Sequence, residues 1–254
     1  TIASQNSVGV RDMGVATSGS TFFRQIGGTL GTAVLLSLLF TLMPSNIIGS
    51  FGDRATLTDA LDAAFDPATA SAPANEKIMS SIYTPIVTQT TDAVTQQVQQ
   101  GVQQATEAAT QAVAQQVAAG QIPAAAQAQA TQAAVAQAIS AAAAQIQQQV
   151  PVARIGADGS VSLDFSNAAE RTAFIDDVAT TLTDQFSSGD QDTSIGGSTL
   201  DDTSFLVGAD ARLTKPFLVG FNSSATSVYW VAMGVVLLAF VLSLFFRTPP
   251  LRAK

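Results

Sequence analysis

The chain has 254 residues, no cysteine, no histidine and a formal net charge of −8. Without cysteine it has no disulfide, thiol nucleophile or thiolate metal ligand, and without histidine it lacks the usual general base and the commonest metal ligand. The low sequence pI disfavours a nucleic-acid partner, because phosphate binding needs a basic surface. We therefore predict that the chain is not an enzyme and has no cofactor, metal site or nucleic-acid partner.

Two uncharged apolar stretches lie near opposite ends of the chain. No charged residue occurs between Arg24 and Asp53, or between Lys215 and Arg247. A helix needs about 20 apolar residues to cross the hydrocarbon core of a bilayer, and residues 227–246 match that length. The sequence thus predicts an all-α membrane protein with transmembrane helices over 16–43 and 227–246, joined by a large external loop over 44–226.

The distribution of charge predicts the orientation of the two helices. The segment 44–226 holds 18 acids and 6 bases, whereas the rest of the chain holds one acid, Asp12, and five bases: Arg11, Arg24, Arg247, Arg252 and Lys254. Basic residues near membrane helices favour the cytoplasmic side, and amphipathic rings such as Tyr229 and Trp230 settle at headgroup level. We expect a multi-pass protein of the cell membrane with a cytoplasmic loop over 1–15, a cytoplasmic tail over 247–254 and the loop outside.

Small residues recur on one face of the first apolar stretch. Gly27 and Gly31 stand four residues apart, with Gly28 and Thr32 one position round the helix. Such a strip lets another helix approach closely, either in static packing or as a mobile surface beside a transport pathway. Arg24, just before the strip, has two interpretations. It either extends to the cytoplasmic headgroups or pairs with a carboxylate on another helix.

These residues carry a resemblance to a known family. The run from Arg11 to Thr17, followed by Phe22-Phe23-Arg24-Gln25-Ile26-Gly27-Gly28-Thr29-Leu30-Gly31, resembles the entry to the penultimate helix of fourteen-helix drug:proton antiporters. These are major facilitator superfamily proteins of the EmrB/QacA type. The run Lys215-Pro216-Phe217-Leu218-Val219-Gly220-Phe221, with its following span and Arg247, resembles the last helix of that family. The resemblance covers residues 5–43 and about 200–252.

The resemblance implies a C-terminal piece of a transporter that exports small amphipathic or cationic compounds by alternating access. The implied partners are the lipid bilayer, the remaining transmembrane helices and a small-molecule substrate. Neither predicted span contains an acid, so the proton-carrying carboxylates are expected in other helices. The alternative is a two-span surface protein whose coiled external loop binds a partner or the cell envelope.

The first part of the loop has the pattern of a short amphipathic helix. Leu57, Leu61 and Phe65 recur every four residues, and Pro67 is expected to stop the helix. Four aspartates share this segment: Asp53, Asp59, Asp62 and Asp66. We expect their carboxylates to form a solvated face.

The middle of the loop is almost pure Ala, Gln, Thr and Val, with Asp92 and Glu107 as its only charges between Ile86 and Val150. Ala and Gln are good helix formers, so the segment about 80–150 is predicted to be a helical hairpin that turns at Gly120–Pro123. Its apolar stripes are Val94, Val98, Val102, Ala105, Ala109, Val113 and Gln116, then Val135, Ile139, Ala142, Ile146 and Val150. A disordered linker is the alternative.

The last part of the loop mixes strand and helix signals. Alternating apolar residues on either side of Gly156–Ser160 predict a small β-hairpin. Asn167 and Glu170 predict a capping box that opens an amphipathic helix over about 167–187. The acidic segment from Asp190 lacks the glycine and the closing glutamate of a calcium loop, so no metal is predicted there.

Overall fold

The computed structural model describes residues 8–187 and 203–245, and these are mostly helical. They form two compact units, which we call the helical pair (residues 8–47 and 217–245) and the loop domain (Ile48–Pro216). The main elements are α1 Met13–Phe51, α2 Arg54–Phe65, α3 Thr84–Ala118, α4 Gln127–Gln149, β1 Ala153–Ile155, β2 Val161–Leu163, α5 Ala168–Ser187 and α6 Ala211–Leu244. The predicted tail 247–254 and the acidic segment 190–201 lie outside the described residues.

Shorter helical turns connect these elements. They are Val10–Asp12, Pro67–Ala70, Pro73–Asn75, Glu76–Ile78, Ala124–Ala126 and Thr203–Leu206, with a π-helical stretch at Met79–Tyr83. Proline opens two of them, because its fixed φ suits the first helical position and its missing N–H has no partner there. The loop is therefore a folded, mainly helical domain over its described part.

Helices α1 and α6 are each long and apolar enough to cross a membrane. Only 6% and 0% of their most apolar segments are buried, whereas the core helix of a soluble protein would be mostly covered. Apart from Val207, every exposed large hydrophobic side chain of the described residues lies in the segments 10–40 and 218–245. Such a continuous apolar surface is stable in lipid and unfavourable in water.

Helix α1 is longer than the span predicted for it. It has 39 residues, or about 58 Å of axial rise. It continues past Met43 and through Pro44 to Phe51. Helix α6 likewise begins at Ala211, well before the predicted span at Ser227, and contains Pro216. Each proline removes one backbone donor from the helical ladder, but neither interrupts the helix.

The helical pair makes a close contact near the C-terminal end of α1. Gly220 lies against Ile47, which is buried, and Asn46 Nδ2 donates a hydrogen bond of 2.9 Å to Ser224 Oγ. The Ser224 hydroxyl in turn donates to the carbonyl of Gly220. A glycine and a polar pair thus replace bulky side chains at this crossing, as is common between membrane helices.

The core of the loop domain forms around α2 and α5. The predicted stripe of α2 is confirmed, because Leu57, Leu61 and Phe65 are almost fully buried and the helix ends before Pro67. The Phe65 ring contacts Phe165 and Phe174, with ring centres 4.9 and 5.5 Å away. Aromatic clusters of this kind bury much apolar area per residue and hold α5 on α2.

The Ala/Gln-rich segment forms the helical hairpin α3–α4. The chain turns at Gly120, whose φ of 71° suits the residue after a helix, and resumes after Pro123. Four apolar side chains are buried, Val98, Val102, Val113 and Ile139. Gln116 is exposed instead of lying on the stripe. Its amide gains more from water than from an apolar interface, which explains this difference.

The β-hairpin is confirmed, with β1 and β2 antiparallel and Arg154 opposite Ser162. Gly159 in its turn has a φ of 81°, and a Cβ there would contact Val102 and Ile139 of the helical hairpin. Asn167 caps α5 as predicted, accepting from the backbone N–H of Ala169. Glu170 does not complete the capping box, because its carboxylate pairs with Arg154 instead.

Candidate functional site

The predicted small-residue strip is open within the described part of this chain. Gly27, Gly28 and Gly31 are exposed, and a Cβ added at any of them would meet nothing within 4 Å. The glycines therefore leave a shallow groove on α1 that the described part of α6 does not fill. Gly220 behaves differently, since a Cβ there would clash with Ile47 of α1.

Arg24 lies beside this strip, also exposed, and forms no ion pair with any described residue. With Gln25, Gly28 and Thr29 it borders a shallow depression along α1. An unpaired guanidinium near a membrane either reaches headgroup phosphates or finds a carboxylate on another helix. Both interpretations of Arg24 stay open on this geometry.

The small-residue strip continues towards the start of α1 as a row of polar and small residues. These residues alternate at spacings of four and three: Gly14, Ser18, Thr21, Gln25, Gly28 and Thr32. The Thr32 hydroxyl donates to the carbonyl of Gly28, so it needs no outside partner. The Gln25 side chain forms no hydrogen bond to the described residues. An amide inside a bilayer is costly without a hydrogen-bonding partner.

A network of ion pairs in the loop domain is the second candidate site. Asp62 accepts from Arg171 Nε at 2.9 Å and from Arg212 Nη1 at 3.0 Å. Arg171 is almost fully buried and also donates to the carbonyl of Phe165. The expectation that the aspartates of α2 form a solvated face is therefore wrong for Asp62. Its partners lie on α5 and α6, far along the chain, and periodicity within α2 does not reveal them.

The other aspartates of α2 also have partners. Asp59 pairs with Lys215, and Asp53 caps α2 by accepting from the backbone N–H of Thr56. Asp66 accepts a hydrogen bond of 2.7 Å from the Thr69 hydroxyl. That hydrogen bond lowers the pKa of the Asp66 carboxyl. Burial works against the effect, while the Ala68 N–H, Arg171 and Arg212 reinforce it.

Tyr83 is the most deeply buried polar side chain near this network. Its ring is fully covered, and its hydroxyl donates a 2.7 Å hydrogen bond to the backbone carbonyl of Leu213. Burial raises the pKa of this phenol far above its usual value, so Tyr83 stays a neutral donor. No group of His, Cys, Asp and Glu among residues 8–187 and 203–245 has the arrangement of a metal site.

Comparison with protein-family models, with curated proteins and with solved structures gives no match.

Proposed function

We propose that this chain supplies the last two transmembrane helices of a fourteen-helix drug:proton antiporter of the major facilitator superfamily. The loop domain would be an enlarged extracytoplasmic segment between those helices. The protein would export small amphipathic or cationic compounds across the cell membrane, with both termini in the cytoplasm. The observation that carries the proposal is the open face of α1, where Gly27, Gly28 and Gly31 present a groove next to Gln25.

This face supports a transporter helix over a simple membrane anchor. An anchor surrounded by lipid gains nothing from three glycines, which lower helix propensity by about 1 kcal/mol each relative to alanine. Between helices, the same glycines permit a close backbone approach. Gln25 supports this interpretation, because its amide needs a hydrogen-bonding partner that the described part of this chain does not supply.

The distribution of charges indicates which helices would carry the proton and which would not. Between Arg24 and Asp53, and again between Lys215 and Arg247, no carboxylate can carry a proton. These helices therefore pack against and guide the moving bundle, while acids in other helices couple export to proton entry. Arg24 would lie at the cytoplasmic end of this surface, where it can bind headgroups or pair with one of those acids.

The test is dye efflux from cells that express the complete protein, measured before and after adding a protonophore. Proton antiport predicts that efflux is active and stops with the protonophore. Efflux that continues unchanged would contradict antiport. A variant lacking the helical hairpin Thr84–Gln149 should still export dye, since the described residues of that hairpin include no group of His, Cys, Asp and Glu that could hold a metal ion.

The second candidate is a two-span surface protein whose loop binds a partner or the cell envelope. The length and exposure of α3, which has 35 residues, favour it. If this candidate is correct, the complete protein confers no efflux. Its binding to cell-wall material is lost when the helical hairpin is removed.

A further inference from the structure

The outer ends of both membrane helices belong to the loop domain. The last turn of α1, Ile48–Phe51, and the first turns of α6, Ala211–Pro216, lie in the same compact unit as α2 and α5. How these two ends are held to each other can therefore be followed contact by contact within one unit.

Two buried hydrogen bonds reach the backbone at the start of α6. Ser50 Oγ, in the last turn of α1, donates to the carbonyl of Pro216 at 2.5 Å. Tyr83 Oη donates to the carbonyl of Leu213 at 2.7 Å. Because both acceptors are main-chain atoms, these bonds fix the position of the helix itself. Tyr83 also packs beside Phe51, with ring centres 6.4 Å apart, so it contacts the ends of both helices.

Ion pairs from α2 reach the same turn of α6. Asp59 and Asp62 stand three residues apart on α2, and their partners Lys215 and Arg212 stand three residues apart on α6. The matched spacing lets two ion pairs join one turn of α2 to one turn of α6. Asp62 Oδ2 accepts from Arg212, and Asp62 Oδ1 accepts from the buried guanidinium of Arg171. Asp62 therefore connects α5 to the same turn of α6.

These contacts are difficult to open separately. Leu57, Leu61 and Leu213 are fully buried, and moving α6 would leave the buried Tyr83 hydroxyl without its acceptor, the Leu213 carbonyl. It would also separate Asp62 from Arg212. Buried polar groups that lose a partner are strongly disfavoured. The arrangement therefore resists a change in spacing between the two helix ends.

We infer that Ser50, Asp62, Tyr83, Arg171 and Arg212 form an outer clamp, which holds the external ends of α1 and α6 at a fixed spacing. The two membrane helices would then move as one body during any conformational cycle. This inference deepens the proposed function, because it specifies which helices move together. The clamp itself, however, exists whether or not the protein transports anything.

The absence of native cysteine allows a direct measurement. Gly49→Cys and Ala211→Cys place two spin labels at exposed positions on the two helix ends. The distance between the labels would be measured by pulsed electron resonance in the complete protein, reconstituted in liposomes with and without a proton gradient and an added cationic dye. We expect one narrow distance distribution that is the same in all conditions. A distance that shifts with the gradient or the dye would overturn the inference.

Variants then test which residues form the clamp. Tyr83→Phe and Asp62→Asn, each in the double-cysteine background, should broaden the distance distribution while the protein remains folded and in the membrane. Tyr229→Phe and Asp92→Asn are matched controls, because Tyr229 and Asp92 are exposed and lie outside the clamp. A distribution that stays narrow in Tyr83→Phe and Asp62→Asn would contradict the assignment of these residues. A narrow, fixed distance in a protein that exports no dye would support the clamp and contradict only the proposed function.

Discussion

Gly220 lies directly against the backbone of Ile47: a Cβ at position 220 would stand 2.5 Å from the Ile47 Cα. Non-bonded carbon atoms are most stable about 3.5–4.0 Å apart, so no side chain fits there without moving one helix. The crossing of α1 and α6 therefore depends on a hydrogen atom at position 220. The same residue belongs to the run Lys215–Phe221, which carries part of the family resemblance.

Gly220→Ala should accordingly destabilise the helical pair. The overpacked methyl group has to displace backbone atoms of Ile47, and we expect a loss of about 1–3 kcal/mol in the free energy of unfolding. Denaturant unfolding of the detergent-solubilised protein measures the change. Gly234→Ala on the same helix is the control, because a Cβ there meets nothing within 4 Å. Equal stability of the two variants would show that the crossing does not need glycine.

Gly31→Leu separates contacts within this chain from contacts with other helices. The added side chain has open space among the described residues, so we expect the spacing of α1 and α6 and the folded structure to be unchanged. In the complete protein, the same change should impair dye export more than Leu38→Ala does, because a bulky residue forces apart helices that meet at the strip. Equal export at equal membrane abundance would argue against a close-contact role.

Arg171→Lys tests the ion-pair network in the loop domain. Arg171 uses its planar fork to bind Asp62 and the Phe165 carbonyl, and a lysine ammonium cannot reproduce that geometry. We expect the free energy of unfolding to fall by about 1–3 kcal/mol, because a charged group would be left buried with incomplete hydrogen bonding. Arg54→Lys is the matched control at an exposed ion pair with Asp176, where a change within about 0.5 kcal/mol is expected.

Acid should weaken the loop domain partly through Asp66. Its pKa is lowered in the folded state, chiefly by the hydrogen bond from Thr69, so the folded protein binds fewer protons than the unfolded chain near the usual aspartate pKa of about 3.9. The stabilising contribution is present above that pH and is lost as the pH falls through the lowered pKa. The melting temperature, measured by thermal unfolding from pH 6 to pH 2.5, should therefore fall less steeply for Asp66→Asn than for the unsubstituted protein. Parallel declines would contradict this assignment.

Local patterns predict much of the helical structure. The apolar stripe of α2, the turn at Gly120 and the β-hairpin around Gly159 all follow from residues near each other in the chain. Each depends on interactions over a few residues, such as helix propensity, a left-handed glycine or alternating burial. These are the features that a sequence specifies before any tertiary contact forms.

Long-range partners determine the features that local patterns do not predict. Asp62 looks like one more polar residue on a solvated face until Arg171 and Arg212 are placed beside it, and these lie 109 and 150 residues away. Glu170 fits a capping box, yet Arg154 from β1 takes its carboxylate. The close approach of Gly220 also depends on where two distant helices cross. None of these long-range contacts produces a periodic pattern in the sequence.

The most direct measurement concerns topology, because the proposed function requires two helices that cross the membrane with the loop domain outside. Ser140→Cys places a single thiol at an exposed position on α4, and Met13→Cys places one at the start of α1. Both would be treated in intact cells with a membrane-impermeant maleimide. The account predicts that the thiol at position 140 is labelled at once and the thiol at position 13 only after lysis. Protection of position 140 until lysis, or labelling of position 13 in intact cells, would contradict it.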